Sequence, residues 1–129
     1  MRDVLIIGTG GFIGAVLRYF AILSMQFFKT KSEIPLGTLL VNVLGCFLIG
    51  MLAVVAENSR ILPVEARNFL IIGILGAFTT FSTFSYESVT LLKGGLNFLF
   101  AMNIILQLVL GFSAVWGGMN LVRLIQKAF

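Results

Sequence analysis

Residues 75–88 read LGAFTTFSTFSYES. Ahead of Tyr86, the hydroxyls of Thr79, Thr80, Ser82, Thr83 and Ser85 are set among Phe78, Phe81 and Phe84, and glycines stand at 73 and 76. If this stretch lies in lipid, each hydroxyl needs a partner within the protein, because hydrocarbon offers none.

The surrounding sequence places it there. The chain has 129 residues, of which 59% are hydrophobic and 11% charged, and its mean hydropathy is +1.08. Soluble domains carry about a quarter charged residues, and a small fold cannot bury so much apolar surface. Four apolar runs cover residues 4–28, 36–56, 69–92 and 96–122. Each is long enough for a helix to cross the bilayer, which takes roughly 20 residues. The runs do not alternate as strands would, and lipid-exposed backbone must be satisfied within its own segment. The first run is too long for a signal peptide, lacks a basic start followed by a small-residue cleavage site, and carries Arg18 near its middle. These features predict an all-α membrane protein, residues 1–129 forming one domain of four transmembrane helices.

Several function classes drop out. Nine Lys and Arg are scattered along the chain without the basic, aromatic-interleaved surface that nucleic acid requires. With no histidine and no paired carboxylates, the chain is not read as an enzyme. The single cysteine, Cys46, reads as packing. Pro35 and Pro63 fall in loops, Pro35 where a helix can start without loss of a needed N–H.

Four spans put both termini and the middle loop on one side. That side carries Arg2, Arg60, Arg67, Arg123 and Lys127; the other carries Lys29, Lys31 and Lys93. The excess is small for a rule that sets orientation from such residues. It fits either a conventional insertion or a chain that inserts both ways up and pairs with its inverted copy.

Helices associate in lipid through small residues and polar side chains. The first run spaces Gly10, Gly14 and Arg18 by four; the second does so with Thr38, Asn42, Cys46 and Gly50; the fourth aligns Asn103, Gln107 and Gly111. Arg18 is costly inside a membrane and must pair, snorkel or face a wet vestibule. Glu87 is the one acid at comparable depth.

Within 75–88, hydroxyls could bond back one turn along an intact helix. Gly73 and Gly76 instead permit an interruption near residues 76–80. Phe81 and Phe84 then project from nearly one face. Freed carbonyls at such an interruption suit a hard cation such as sodium.

These strings are similar to those of a known family. GTLLVN (37–42), GILGAFTTFSTFS (73–85) and GGFIGAVLRY (10–19) resemble the Fluc (CrcB) family of bacterial fluoride channels over essentially the whole chain. The resemblance implies a broken third helix, an antiparallel, dual-topology homodimer, and passive fluoride export across the bacterial inner membrane that protects the cell. It implies a structural sodium ion at the dimer centre, held by the backbone carbonyls of Gly76 and Thr79. By motif position, Phe81, Phe84 and Asn42 line the fluoride pathway, with Thr38, Ser82, Thr83, Asn103 and Gln107 along it and Arg18 at a vestibule. Phenyl edges are the positive part of the ring quadrupole and suit an anion. Three positions depart from the pattern: the amides Asn103 and Gln107 stand where some members have hydroxyls, and Ala77 where some have glycine. The rival from another class is a four-helix, proton-coupled multidrug exporter, which needs a carboxylate deep in the first helix.

Overall fold

The computed structural model describes residues 1–27, 33–57 and 61–128. Phe28, Lys29, Lys31 and Arg60, which entered the spans and loop charges above, lie outside the described residues. The described residues are helical: α1 (Arg2–Phe27), α2 (Leu36–Ala56), α3 (residues 64–78), α4 (Phe81–Lys93) and α5 (Asn97–Ala128). Four spans, with α3 and α4 together making the third, are long and apolar enough to cross a membrane.

Three spans outrun the apolar runs. The first starts at Arg2, the third at Val64 and the fourth continues to Ala128, instead of 4, 69 and 122. The added residues include Asp3, Glu65, Arg67, Arg123 and Lys127. Hydropathy marks hydrocarbon, whereas helical hydrogen bonding continues into the interface, where polar side chains are solvated. Asp3 thereby enters the first turn of α1, and Arg2 Nη1 meets Glu65 Oε1 at 3.6 Å on the exposed surface.

Helix ends follow local chemistry. Pro35 immediately precedes α2, and Pro63 precedes α3. Between α4 and α5, Gly95 takes φ 76°. Its N–H donates to Leu92 O and that of Leu96 to Leu91 O, both at 3.0 Å. This is the paired closure that left-handed glycine permits at a helix end.

The third span is not one regular helix. Val64–Arg67 is α-helical, Asn68–Leu75 takes the wider π-helical turn, and Gly76–Phe78 returns to α geometry. Thr79 (φ −88°, ψ 160°) and Thr80 (φ −155°, ψ 113°) are extended, and helix resumes at Phe81.

Packing follows the small residues. α1 lies mainly on the π-helical stretch and α2 mainly on α5. A Cβ at Gly10 would come within 2.6 Å of Phe69 O, and one at Gly14 would run into the Ile74 carbonyl. On the other side, Gly50 faces the Val115 carbonyl and Gly118 the Phe47 carbonyl. Asn42–Gln107, Cys46–Gly111 and Gly50–Val115 share one offset of 65 residues. α2 and α5 therefore run side by side in the same direction and in register, which brings their polar residues to matching levels.

Backbone approach of this kind leaves no room for a methyl group. Gly14→Ala is expected to destabilise the protein by about 1–3 kcal/mol, read as a lower melting temperature in detergent. Gly11→Ala, whose Cβ meets nothing within 4 Å, should change it by less than about 0.5 kcal/mol; equal effects would contradict the packing.

Candidate functional site: a polar ladder at an interrupted helix

Thr80 is the centre of the site. As N-cap of α4 it accepts the Thr83 N–H on its Oγ1 at 3.2 Å, satisfying one of the donors a new helix leaves open. The same hydroxyl donates to Thr83 Oγ1 at 2.9 Å and lies 3.2 Å from Ser82 Oγ. Thr79 bonds backwards, its Oγ1 donating to Leu75 O at 3.0 Å. The hydroxyls of the run thus tie off the two helix ends that face each other across the interruption.

The Thr80 peptide is held from α2. Its N–H donates to Asn42 Oδ1 at 2.9 Å, and its carbonyl accepts from Asn42 Nδ2 at 3.1 Å. Asn42 Nδ2 also donates to Gln107 Oε1 at 3.2 Å. Across the interruption the carbonyls of residues 76–79 lose their helical donors, and two of the displaced N–H groups have new side-chain acceptors. The N–H that would close onto Gly76 O is Thr80's, now given to Asn42; the one that would close onto Thr79 O is Thr83's, now given to Thr80 Oγ1.

A second polar level lies one turn away, where Thr38 and Asn103 share the 65-residue offset of Asn42 and Gln107. Thr38 Oγ1 donates to Glu87 Oε1 at 2.8 Å. Asn103, fully buried at 0% exposure, donates from Nδ2 to Ser88 Oγ at 3.0 Å, and Ser88 donates to Phe84 O at 2.7 Å. Three buried atoms among the described residues are left without partners: Glu87 Oε2, Asn103 Oδ1 and Gln107 Nε2.

Asn42, Gly76, Thr79, Thr80, Phe81, Phe84 and Gln107 line one cavity of about 350 Å³, which also reaches Gly45 and Cys46. Phe81 and Phe84 meet edge to face, with centroids 5.5 Å apart and planes at 60°. They differ in setting: Phe84 is buried, whereas Phe81 is 76% exposed.

Of the residues singled out from the sequence, Asn42, Phe81, Phe84, Gln107, Gly76 and Thr79 are brought together here. Thr38 and Asn103 form the adjoining level, and Ser82 and Thr83 sit on the first turn of α4. Arg18 stands apart on α1, half-buried. Among the described residues no ion pair joins it to Glu87, which takes Thr38 instead. Sequence reasoning passed over Ser88 and the central place of Thr80. Ser88 had a signal: it stands one helical turn beyond Phe84, on the same face. Nothing local marked Thr80 out from its neighbours, because its partner is 38 positions away.

Comparison with known proteins identifies the family. A family model described as "CrcB-like protein, Camphor Resistance (CrcB)" matches residues 5–119. A Campylobacter jejuni protein named "Fluoride-specific ion channel FluC" is 49% identical over 118 residues, 92% of this chain and 95% of the relative. One of the same name from Prosthecochloris aestuarii is 44% identical over 120 residues, covering 93% and 92%. "Fluoride-specific ion channel FluC 1" of Methanosarcina acetivorans is 45% identical over 118 residues, covering 92% and 88%.

The cap can be tested alone. Thr80→Val is expected to cost about 0.5–2 kcal/mol of stability and to speed amide exchange in the first turn of α4. Thr80→Ser, which keeps the hydroxyl, should stay within about 0.5 kcal/mol of the parent. A Val variant as stable as the parent would show that the cap carries no weight.

Proposed function

The chain belongs to the CrcB-like family, and from that premise we propose that it is a fluoride-selective ion channel, passing fluoride down its gradient and so protecting the cell. Its place is a bacterial plasma membrane, crossed by four spans. The observation that carries the reading is the interruption at Thr79–Thr80, set against the Phe81–Phe84 pair and the amides of Asn42 and Gln107.

The chemistry suits a small, tightly hydrated anion. A selective path must replace water with close donors without trapping the ion. Amides and hydroxyls donate through partial charges, and phenyl edges add weak positive potential. A full cation at the same place would hold fluoride too tightly to conduct. On this reading the path follows Phe81, Phe84 and the polar ladder of Asn42, Thr38, Gln107 and Asn103. Ser82 and Thr83 lie beside it, and Arg18 stands at a vestibule.

The working unit on this proposal is a homodimer of two oppositely inserted copies. Freed carbonyls cannot face lipid, since each unsatisfied backbone group there costs several kcal/mol. Gly76 is exposed on the single chain, and Phe81 beside it is largely uncovered. A second copy over this face would shield both. The small excess of Lys and Arg on one side fits insertion in either sense.

The same carbonyls suit a resident sodium ion. Gly76 O and Thr79 O are oxygen donors without helical partners, the donor type that hard cations take at unwound segments. Sodium bound there would supply fixed charge that neutralises oxygens otherwise stranded. Thr79 would contribute its backbone and not its hydroxyl, which is committed to Leu75 O.

The multidrug-exporter alternative finds little support. Asp3, at the polar end of α1, is the one acid in the first two helices, far from the depth that proton-coupled export demands.

Liposomes carrying the purified protein should release fluoride promptly and electrogenically, as followed with a fluoride electrode. Proton-linked export of a cationic dye, or an inert protein, would contradict the channel. Phe81→Ile and Phe84→Ile should each lower the flux by about tenfold, the loss of roughly one aromatic contact, with the dimer intact. Undiminished flux in both would count against the pore assignment. Thr79→Ala should leave sodium-dependent thermal stabilisation in place; its loss without backbone change would mean that the hydroxyl is the ligand.

A further inference from the structure

The amide of Asn42 has its polar capacity committed. Oδ1 accepts from Thr80 N–H, while Nδ2 donates to Thr80 O and to Gln107 Oε1. An amide nitrogen carries two protons, and both are engaged. A donor used twice is not free to meet a passing anion. Gln107 shows the complementary state. Its Oε1 is held by Asn42, so Nε2 is the end left over, without a partner on a side chain only 9% exposed. Gln107 also lines the cavity.

The geometry points to a division of roles. Asn42 is a positioning residue that clasps the Thr80 peptide as a neighbouring strand would and sets the orientation of Gln107, while Gln107 Nε2 is the donor offered to the anion. The clasp has a second consequence, which rests on the sodium reading proposed above. By taking the Thr80 N–H, Asn42 keeps Gly76 O open for the cation.

The test uses the full chain in detergent and in liposomes, reading amide exchange at residues 79–83 alongside fluoride flux. Asn42→Ala should speed exchange at Thr80 by about tenfold or more, as expected for losing a reciprocal pair of hydrogen bonds, and should abolish flux. Gln107→Leu should leave Thr80 exchange within about twofold, since each bond is worth only about 1 kcal/mol and the reciprocal pair stays, yet should lose most of the flux. Two results would overturn the assignment: flux abolished in Asn42→Ala with Thr80 exchange unchanged, which makes Asn42 a direct ligand, or normal flux in Gln107→Leu.

Should Asn42→Ala fail to fold, Asn42→Asp keeps the acceptor for Thr80 N–H and removes the donors. Protection at Thr80 should then survive while flux is lost, and loss of protection would overturn the clasp. The sodium concentration for half-maximal thermal stabilisation should rise about tenfold or more in Asn42→Ala. A parent protein that sodium does not stabilise, or that passes no fluoride, sinks that reading alone; the exchange comparison still decides the clasp.

Discussion

A polypeptide crossing lipid must satisfy every backbone N–H and carbonyl from within the protein. At Thr79 and Thr80 the third span departs from the helix that normally meets this demand. What makes the departure tolerable is a side-chain amide. Asn42 gives the Thr80 peptide both an acceptor and a donor, and Thr80 in turn caps α4. The local balance is incomplete, because the carbonyls of residues 76–79 lose their helical donors at the interruption, and such unmet polarity is what a channel can use. A fully satisfied helix would offer nothing to an ion.

The remaining structure serves to hold this arrangement in place. Glycines at 10 and 14 bring α1 against the π-helical stretch at backbone distance, fixing the half of the third span that precedes the interruption. Glycines at 50 and 118 do the same for α2 and α5. Their in-register contact has a functional consequence, since a shift by one residue would rotate Gln107 and Asn103 away from Asn42 and Thr38. Close packing at one end of the pair thus sets the alignment of the polar ladder at the other. Buried amides and hydroxyls in such a ladder order one another: Ser88 orients Asn103, and Asn42 orients Gln107.

Much of this was legible in the sequence. Long apolar runs and the absence of alternation leave helices as the only spanning option, and the number of spans follows. Gly10, Gly14 and Gly50 were readable as interfaces because four-residue spacing places them on one face. The run and the stripes drew attention to Asn42, Gln107, Phe81 and Phe84, while a place on a fluoride pathway was implied only by the family resemblance. The reciprocal pairing of Asn42 with Thr80 was not legible, nor the taking of Glu87 by Thr38, because hydrogen-bond partners distant in sequence are set by helix register, which no local pattern encodes. The helix ends at Val64 and Ala128 lie beyond the apolar runs for a related reason: hydropathy reports the solvent around a side chain and not where the backbone stops winding.

The proposed fluoride conduction, inverted pair and resident cation all depend on the third span leaving the helix midway. The most direct measurement is a cryo-electron microscopy map of the protein in lipid nanodiscs with sodium present. Two oppositely oriented copies are predicted, with Thr79 and Thr80 extended in each and a cation peak among the carbonyls of Gly76 and Thr79 from both. A continuous helix from Ile72 to Tyr86, with Phe81 and Phe84 turned into the acyl chains, would contradict the account.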